Sequence, residues 1–157
     1  MTGETEKETT LRSFIAVLTF LVVLFPLLHP LFAAHHEICG EPPPAFEEEL
    51  LNQINRYRQK NGLKPLSLHA ASRTLAKSHS QYMCETERLT HDNFGERFRR
   101  SGRMCCVENV GWNYSTAAAQ FEGWKESKGH NENMLDKKIR VAGVSKVGAY
   151  VTFFACE

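Results

Sequence analysis

From Phe46 onward the apolar positions fall first at helical and later at strand spacing. Phe46, Leu50, Leu51, Ile54 and Tyr57 recur at steps of three and four, which predicts an amphipathic helix over Phe46 to Asn61. Glu47, Glu48 and Glu49 occupy its first turn, where the helix dipole favours anions, and Asn61-Gly62 supplies the stop. Ser67 is placed to cap a second helix reaching about Glu87, with Leu68, Ala71, Leu75, Ala76, Tyr82 and Met83 on its apolar face. Asp92 or Asn93 can cap a short third helix, Phe94 to Ser101, ended by Gly102. Cys105 to Tyr114 lacks a helical period and reads as a strand or extended loop. Ser115 or Thr116 caps a fourth helix, which carries Ala117, Ala118, Phe121 and Trp124 and closes before Gly129. Ile139 to Cys156 holds two β-branched and aromatic runs joined at Gly148, a strand signature. Helices early and strands late predict an α+β domain, with helices on both faces of a small, mainly antiparallel sheet.

Before this domain the pattern changes. Residues 14–34 are nearly all apolar, broken by Thr19, Pro26, His29 and Pro30. A run of about 20 residues is long enough to span a bilayer, while the unbroken part, Phe14 to Phe25, matches a signal-peptide core. Lys7 and Arg12 precede the run, which orients the N-terminus toward the cytosol. Residues 1–34 are thus a cytosolic leader plus signal peptide or signal anchor, with membrane contact through residues 14–34 if uncleaved. Residues 35–45 form a proline-rich linker, and 46–157 the folded domain. Either fate of the leader exports the domain to the extracellular side or the secretory pathway.

Five cysteines agree with export. Cys39, Cys84, Cys105, Cys106 and Cys156 contain no C-x-x-C pair, so disulfides in an oxidising compartment are expected rather than a zinc knuckle. Adjacent Cys105 and Cys106 should each reach a distant partner, and one thiol is left over unless it pairs between chains. The sequon Asn113-Tyr114-Ser115 makes Asn113 a glycosylation candidate. Residues 35–157 carry 17 Lys and Arg against 15 Asp and Glu. So even a balance argues against nucleic acid as a partner, because counterion release needs a concentrated basic surface. The densest basic patch, Arg97, Arg99, Arg100 and Arg103, reads as a solvated helix face beside buried Phe94 and Phe98. Oligomeric state is not legible.

Candidate chemistry gathers between His91 and His130. We expect His91, Glu108 and His130 to converge on one polar cleft, with His69 and His79 as ordinary helix-surface or internally satisfied residues. Two imidazoles and a carboxylate suit zinc or another borderline divalent cation, with His91 and His130 as metal ligands. Glu126 lies four residues before His130 and shares its face if helix continues through Gly129.

F-E-E-E-L-L-N-Q-I-N-R-Y-R-Q-K-N-G-L-K-P-L, L-T-H-D, E-N-V-G-W-N and G-W-K-E-S-K-G-H-N-E-N-M-L, in that order, resemble the CAP superfamily (cysteine-rich secretory proteins, antigen 5 and pathogenesis-related proteins; the SCP-like extracellular domain), most closely its shorter bacterial-style members. The resemblance covers Phe46 to Ala155. It implies a three-layer α-β-α sandwich and a cleft of two histidines and two acids. His91, Glu108 and His130 match three of these. Ser127 stands where longer members place the second acid, and Val107 replaces the glycine before Glu108. Family membership also implies sterol or lipid binding, defence or extracellular signalling rather than established catalysis, which favours a binding module; Trp112, Tyr114 and Phe121 are the possible liners of an apolar ligand groove. The alternative is a metal-dependent hydrolase acting through His91, Glu108 and His130.

Overall fold

The spacing of Leu50, Leu51 and Ile54 closes into helix α1, Pro44–Lys60, in a computed structural model that describes residues 39–40 and 44–157. The leader, the apolar run of 14–34 and most of the linker lie outside the described residues. Among the described residues no helix is long and apolar enough to cross a membrane.

Helix α2, Ala70–Thr86, starts later than its apolar pattern suggested. Ser67 does not cap it. Ser67 and Leu68 instead form a two-residue strand, β1, and His69 is the cap, its Nδ1 accepting from the Ser72 N–H at 3.3 Å. Helix α3, Phe94–Ser101, has its expected bounds, with Gly102 closing it in the left-handed region at φ 65°. Strand β2 is Cys106–Trp112. Helix α4 is Ala117–Glu126, capped by Thr116, whose Oγ1 accepts from the Ala119 N–H. A further helix, α5, Lys128–Met134, carries Gly129 in its first turn. Glycine is a poor helix former, but Met134 is fully buried in the core and holds the helix in place. Strands β3, Val141–Val147, and β4, Tyr150–Cys156, are joined through Gly148 at φ 53°.

The sheet order is β1-β3-β4-β2. β4 pairs antiparallel with β3 and β2, while β1 runs parallel to β3 over two residues. The sheet is therefore mixed, though mainly antiparallel as expected; a two-residue strand is too short to show alternation. Alternate residues of β4 serve two layers. Val151, Phe153 and Ala155, with Ala142 and Val144, pack against Leu50, Ile54, Phe121, Trp124 and Met134 of α1, α4 and α5. Phe154 and Cys156 pack against Leu75 and Ala76 of α2, with Phe94 of α3 alongside. Gly143 lets α2 cross β3 at close range, since a Cβ there would meet the Arg73 nitrogen at 2.1 Å.

Two disulfides form, Cys39–Cys84 and Cys106–Cys156. The second links directly opposed residues of β2 and β4. Cys105 is a free, half-buried thiol within the chain and leaves the predicted disulfide set; the residue beside it took the partner on the next strand.

Arg58 is 1% exposed and has no ion pair with a carboxylate among the described residues. It donates to the carbonyls of Lys64, Met134, Asp136 and Ile139, tying α1 to the end of α5 and the connection into β3. Arg58→Met keeps the aliphatic stem but leaves these carbonyls without their donor. We expect a loss of about 3 kcal/mol or more in urea unfolding, with the denaturant slope unchanged.

Candidate functional site

Glu108 sits in β2 with its side chain on the α2–α3 side, opposite Phe154 in the register. Its residue is 5% exposed, and an isolated buried carboxylate would lose several kcal/mol of hydration. Arg97 answers it. The Arg97 Nε donates to Oε2 and its Nη2 to Oε1, both at 2.7 Å. This planar fork-to-carboxylate pairing is the strongest common ion-pair geometry. The remaining nitrogen, Nη1, donates to the Asp92 carbonyl at 2.7 Å, so the same side chain fixes the loop that carries His91. The reading of Arg97 as part of a solvated face is overturned: it is 6% exposed, while Arg99 and Arg100 remain in solvent. Phe94 and Phe98, expected to be buried, are only half-buried.

His91 Nδ1 lies 2.9 Å from Glu108 Oε1. An ionised carboxylate makes that nitrogen the donor, leaving Nε2 turned away from it. The His91 side chain is 50% exposed, so it forms the solvent side of the pair. Behind the carboxylate lies His79, 2% exposed, whose Nε2 is 2.7 Å from the Thr90 carbonyl and 3.7 Å from Glu108 Oε1. The reading of His79 as an ordinary satisfied residue holds for Nε2 only, since its Nδ1 is buried without a partner. Its place was legible: His79 falls three after Ala76 and four before Met83, on the buried face of α2.

His130 is brought near but not into this hydrogen-bonded group. It lies on α5, its ring 6.3 Å from the Trp124 ring, and its carbonyl accepts from Asn109 Nδ2 at 2.9 Å. Asn133, one turn on, donates to the Glu108 carbonyl and to Asn109 Oδ1. Glu126 does not join. The helix breaks at Ser127, so Glu126 ends α4 while His130 belongs to α5, and Glu126 is exposed to solvent.

Burial alone would raise the Glu108 carboxyl, but the hydrogen bonds from His91 and Arg97 and the Arg97 charge outweigh it and hold it below the ordinary range. Burial pushes His79 down, with the Glu108 charge opposing and Arg97 assisting. Burial also lowers His130, and the nearby His91 charge lowers it further, which puts the two imidazoles within electrostatic reach.

A cavity of about 280 Å³ opens here, lined by His91, Phe94, Cys106, Val107, Glu108 and Asn133. Its carboxylate is already taken up by neighbouring side chains. Both Glu108 oxygens are engaged by Arg97 and one also by His91. Among the described residues no group of three His, Cys, Asp or Glu side chains is disposed to hold a metal ion. Arg97 and His91 thus occupy the carboxylate while His91 Nε2 points away from it, so the zinc expectation for His91 and His130 rests on the two rings alone.

The three aromatics expected to line a ligand groove lie in different surroundings. Phe121 is core, edge-on to Tyr57. Trp112 is 52% exposed, and the Tyr114 hydroxyl lies against Gly123. None of them lines either principal cavity. The larger one, about 600 Å³, opens along α1 and β1, where Leu51, Leu66, Leu68 and Val144 meet Glu47, Glu48 and Arg73.

Comparison with known proteins agrees with this fold. A family model described as CAP, cysteine-rich secretory protein family, matches residues 51–157. The uncharacterised protein YkwD of Bacillus subtilis is 27% identical over 115 residues, covering 66% of this chain and 43% of that protein. The Golgi-associated plant pathogenesis-related protein 1 of Homo sapiens is 28% identical over 123 residues, covering 66% of this chain and 74% of that protein. The chain thus spans less than half of the Bacillus relative. Among solved structures, an extracellular SCP-domain protein of Bacillus anthracis superposes with a TM-score of 0.69 at 22% identity, covering 75% of this chain and 45% of that one. An outer surface protein of Borrelia burgdorferi gives 0.67 at 17% identity, covering 76% and 98%.

Two measurements test the site's electrostatics. Because Glu108, His79 and His130 all hold protons less readily folded than unfolded, stability should fall as pH drops below about 6.5, then fall further as Glu108 protonates. Melting temperature followed from pH 7.5 to 4 checks this; a flat profile would count against the assignment. Arg97→Met should cost about 3–5 kcal/mol by stranding the carboxylate. Adding Glu108→Gln to it should recover part of that loss in a double-mutant cycle.

Proposed function

Because the chain belongs to the cysteine-rich secretory protein (CAP) family, we propose that it is an exported, non-catalytic binding module whose polar cleft is a structural tie rather than a reaction centre. One observation carries this reading: both oxygens of the Glu108 carboxylate are committed to Arg97 and His91. A hydrolase of the metal-dependent kind needs an open ligand position where water is activated. The Glu108 carboxylate is not free to supply one, since Arg97 already neutralises it. Extracellular placement is supported by two disulfides in a domain of this family. Export also makes the sequon usable, since Asn113 is exposed in the turn after β2; glycosylation there would appear as a peptide-N-glycosidase mass shift that Asn113→Gln removes.

The ligand we propose is a sterol, a lipid or another small amphipathic molecule. The Trp112, Tyr114 and Phe121 set lines neither of the two cavities described above. The full-length protein should bind zinc no better than a His91→Ala variant in calorimetric titration, and chelator should leave its melting temperature unchanged. Sterol or lipid binding, assayed with labelled cholesterol and oleate, should persist in His91→Ala. Zinc binding at micromolar levels that disappears in His91→Ala, together with chelator-sensitive hydrolysis, would restore the hydrolase reading.

A further inference from the structure

The groove beside α1 has a property that a plain apolar hollow lacks: its wall is an unfinished sheet edge. Ser67 N donates to the Arg140 carbonyl and His69 N to the Ala142 carbonyl, so both face β3. By strand alternation Leu66 and Leu68 turn their backbone N–H and C=O groups outward. At Leu66 these groups are paired by a side chain. Asn55 of α1 accepts from the Leu66 N–H at 2.7 Å through Oδ1 and donates to the Leu66 carbonyl at 3.0 Å through Nδ2. One carboxamide there does what a peptide unit of a neighbouring strand would do.

Two residues on, Leu68 presents the same pair of groups to the groove without a partner among the described residues, and its side chain is 66% exposed. β3 repeats the situation. Ala142 faces β1 and the Lys146 N–H donates to Glu47 Oε1 at 3.0 Å, so Val144 between them also turns its amide toward this edge. The floor is apolar, made by Leu51, Leu66 and Val144, which are 8%, 4% and 2% exposed. The rim is acidic in balance. Glu47 is taken up by Arg73, Ser145 and the Lys146 amide, leaving Glu48 exposed and without an ion pair among the described residues.

We propose that this edge docks an extended peptide in which apolar and basic residues alternate, added as a short strand beside β1. Its backbone pairs with the outward amide of Leu68, an apolar side chain enters the floor between Leu51 and Val144, and a lysine or arginine meets Glu48. Main-chain pairing supplies affinity and the alternate side chains supply selectivity in recognition of this kind. The inference rests on the binding-module reading and goes beyond it by assigning this edge a second class of ligand, a peptide.

Fluorescence anisotropy on the full chain tests it with a labelled, capped peptide alternating lysine and leucine. Two controls accompany it: a glutamate–leucine counterpart and a version N-methylated on the pairing amides. The lysine–leucine peptide should bind saturably and both controls at least tenfold more weakly. Leu68→Asp, at an exposed position that spares the core, should weaken binding about tenfold, and Glu48→Lys should reverse the preference toward the glutamate peptide. Equal binding of the N-methylated peptide, or no saturable binding, would overturn the proposal. Oleate that binds and is lost in Leu68→Asp, with no peptide binding, also overturns it, but leaves the binding-module reading intact. That reading fails separately, through zinc-dependent turnover.

Discussion

A carboxylate without water must be answered by its neighbours, and much of this domain is arranged as the answer to Glu108. Arg97 can reach it with a two-pronged grip only if α3 lies across the end of β2. Phe94, three residues before Arg97 and so on the same side of α3, holds that position by packing edge-on against Phe154, the residue opposite Glu108 in the sheet. The third Arg97 contact, to the Asp92 carbonyl, tethers the turn between α2 and α3. His91 therefore arrives beside the carboxylate as a consequence of the ion pair, and His79 closes it from behind. Removing either charge leaves the other stranded, which makes the pair obligatory once present even though burying it is not in itself a gain.

The other recurring constraint is the sheet edge. An unpaired strand edge invites association with another chain, and both outer strands here are covered with side chains. On β2 the Glu108 carbonyl accepts from Asn133 and the Val110 carbonyl from the Trp124 indole, which binds α5 and α4 along that border. On the opposite border Asn55 covers Leu66 and Glu47 covers Lys146, both from α1. Helices on one layer thus act through polar side chains as substitutes for missing strands. The cover along β1 and β3 has a gap at Leu68 and Val144, and the larger cavity lies at that gap.

What could be read from the chain follows from which forces act locally. Helix α3 and the β3–β4 hairpin had legible bounds because their stops are glycines whose backbone needs the left-handed region. β1 was hidden, since two residues have no period, and Ser67 looked like a cap only because the sheet partner that claims it lies more than 70 residues away. α5 was hidden because Gly129 argues locally against helix, while burial of Met134 and the Asn133 bonds to β2 argue for it at long range. In the site, His91, Glu108 and His130 are expected from the sequence in one cleft, and the structure bonds the first two. Arg97 was misjudged because its sequence neighbours, Arg99 and Arg100, are exposed, and only its place three residues after Phe94 distinguishes it.

The choice between a metal centre and a tie comes down to charge. Two unit charges about 4 Å apart interact by roughly 4 kcal/mol at an effective dielectric of 20. A divalent ion sharing the Glu108 carboxylate with Arg97 would face about twice that in repulsion, against attraction to a carboxylate whose charge is already matched. His91 gives its Nδ1 to the same carboxylate and keeps only Nε2 for any other contact, and among the described residues no three-ligand group includes His79 or His130. A cation that took this carboxylate would have to dislodge Arg97 first, and Arg97 also holds the His91 loop. Losing the guanidinium to admit a metal at Glu108 would loosen the loop that carries His91, so the ion pair and metal ligation by that carboxylate pull in opposite directions.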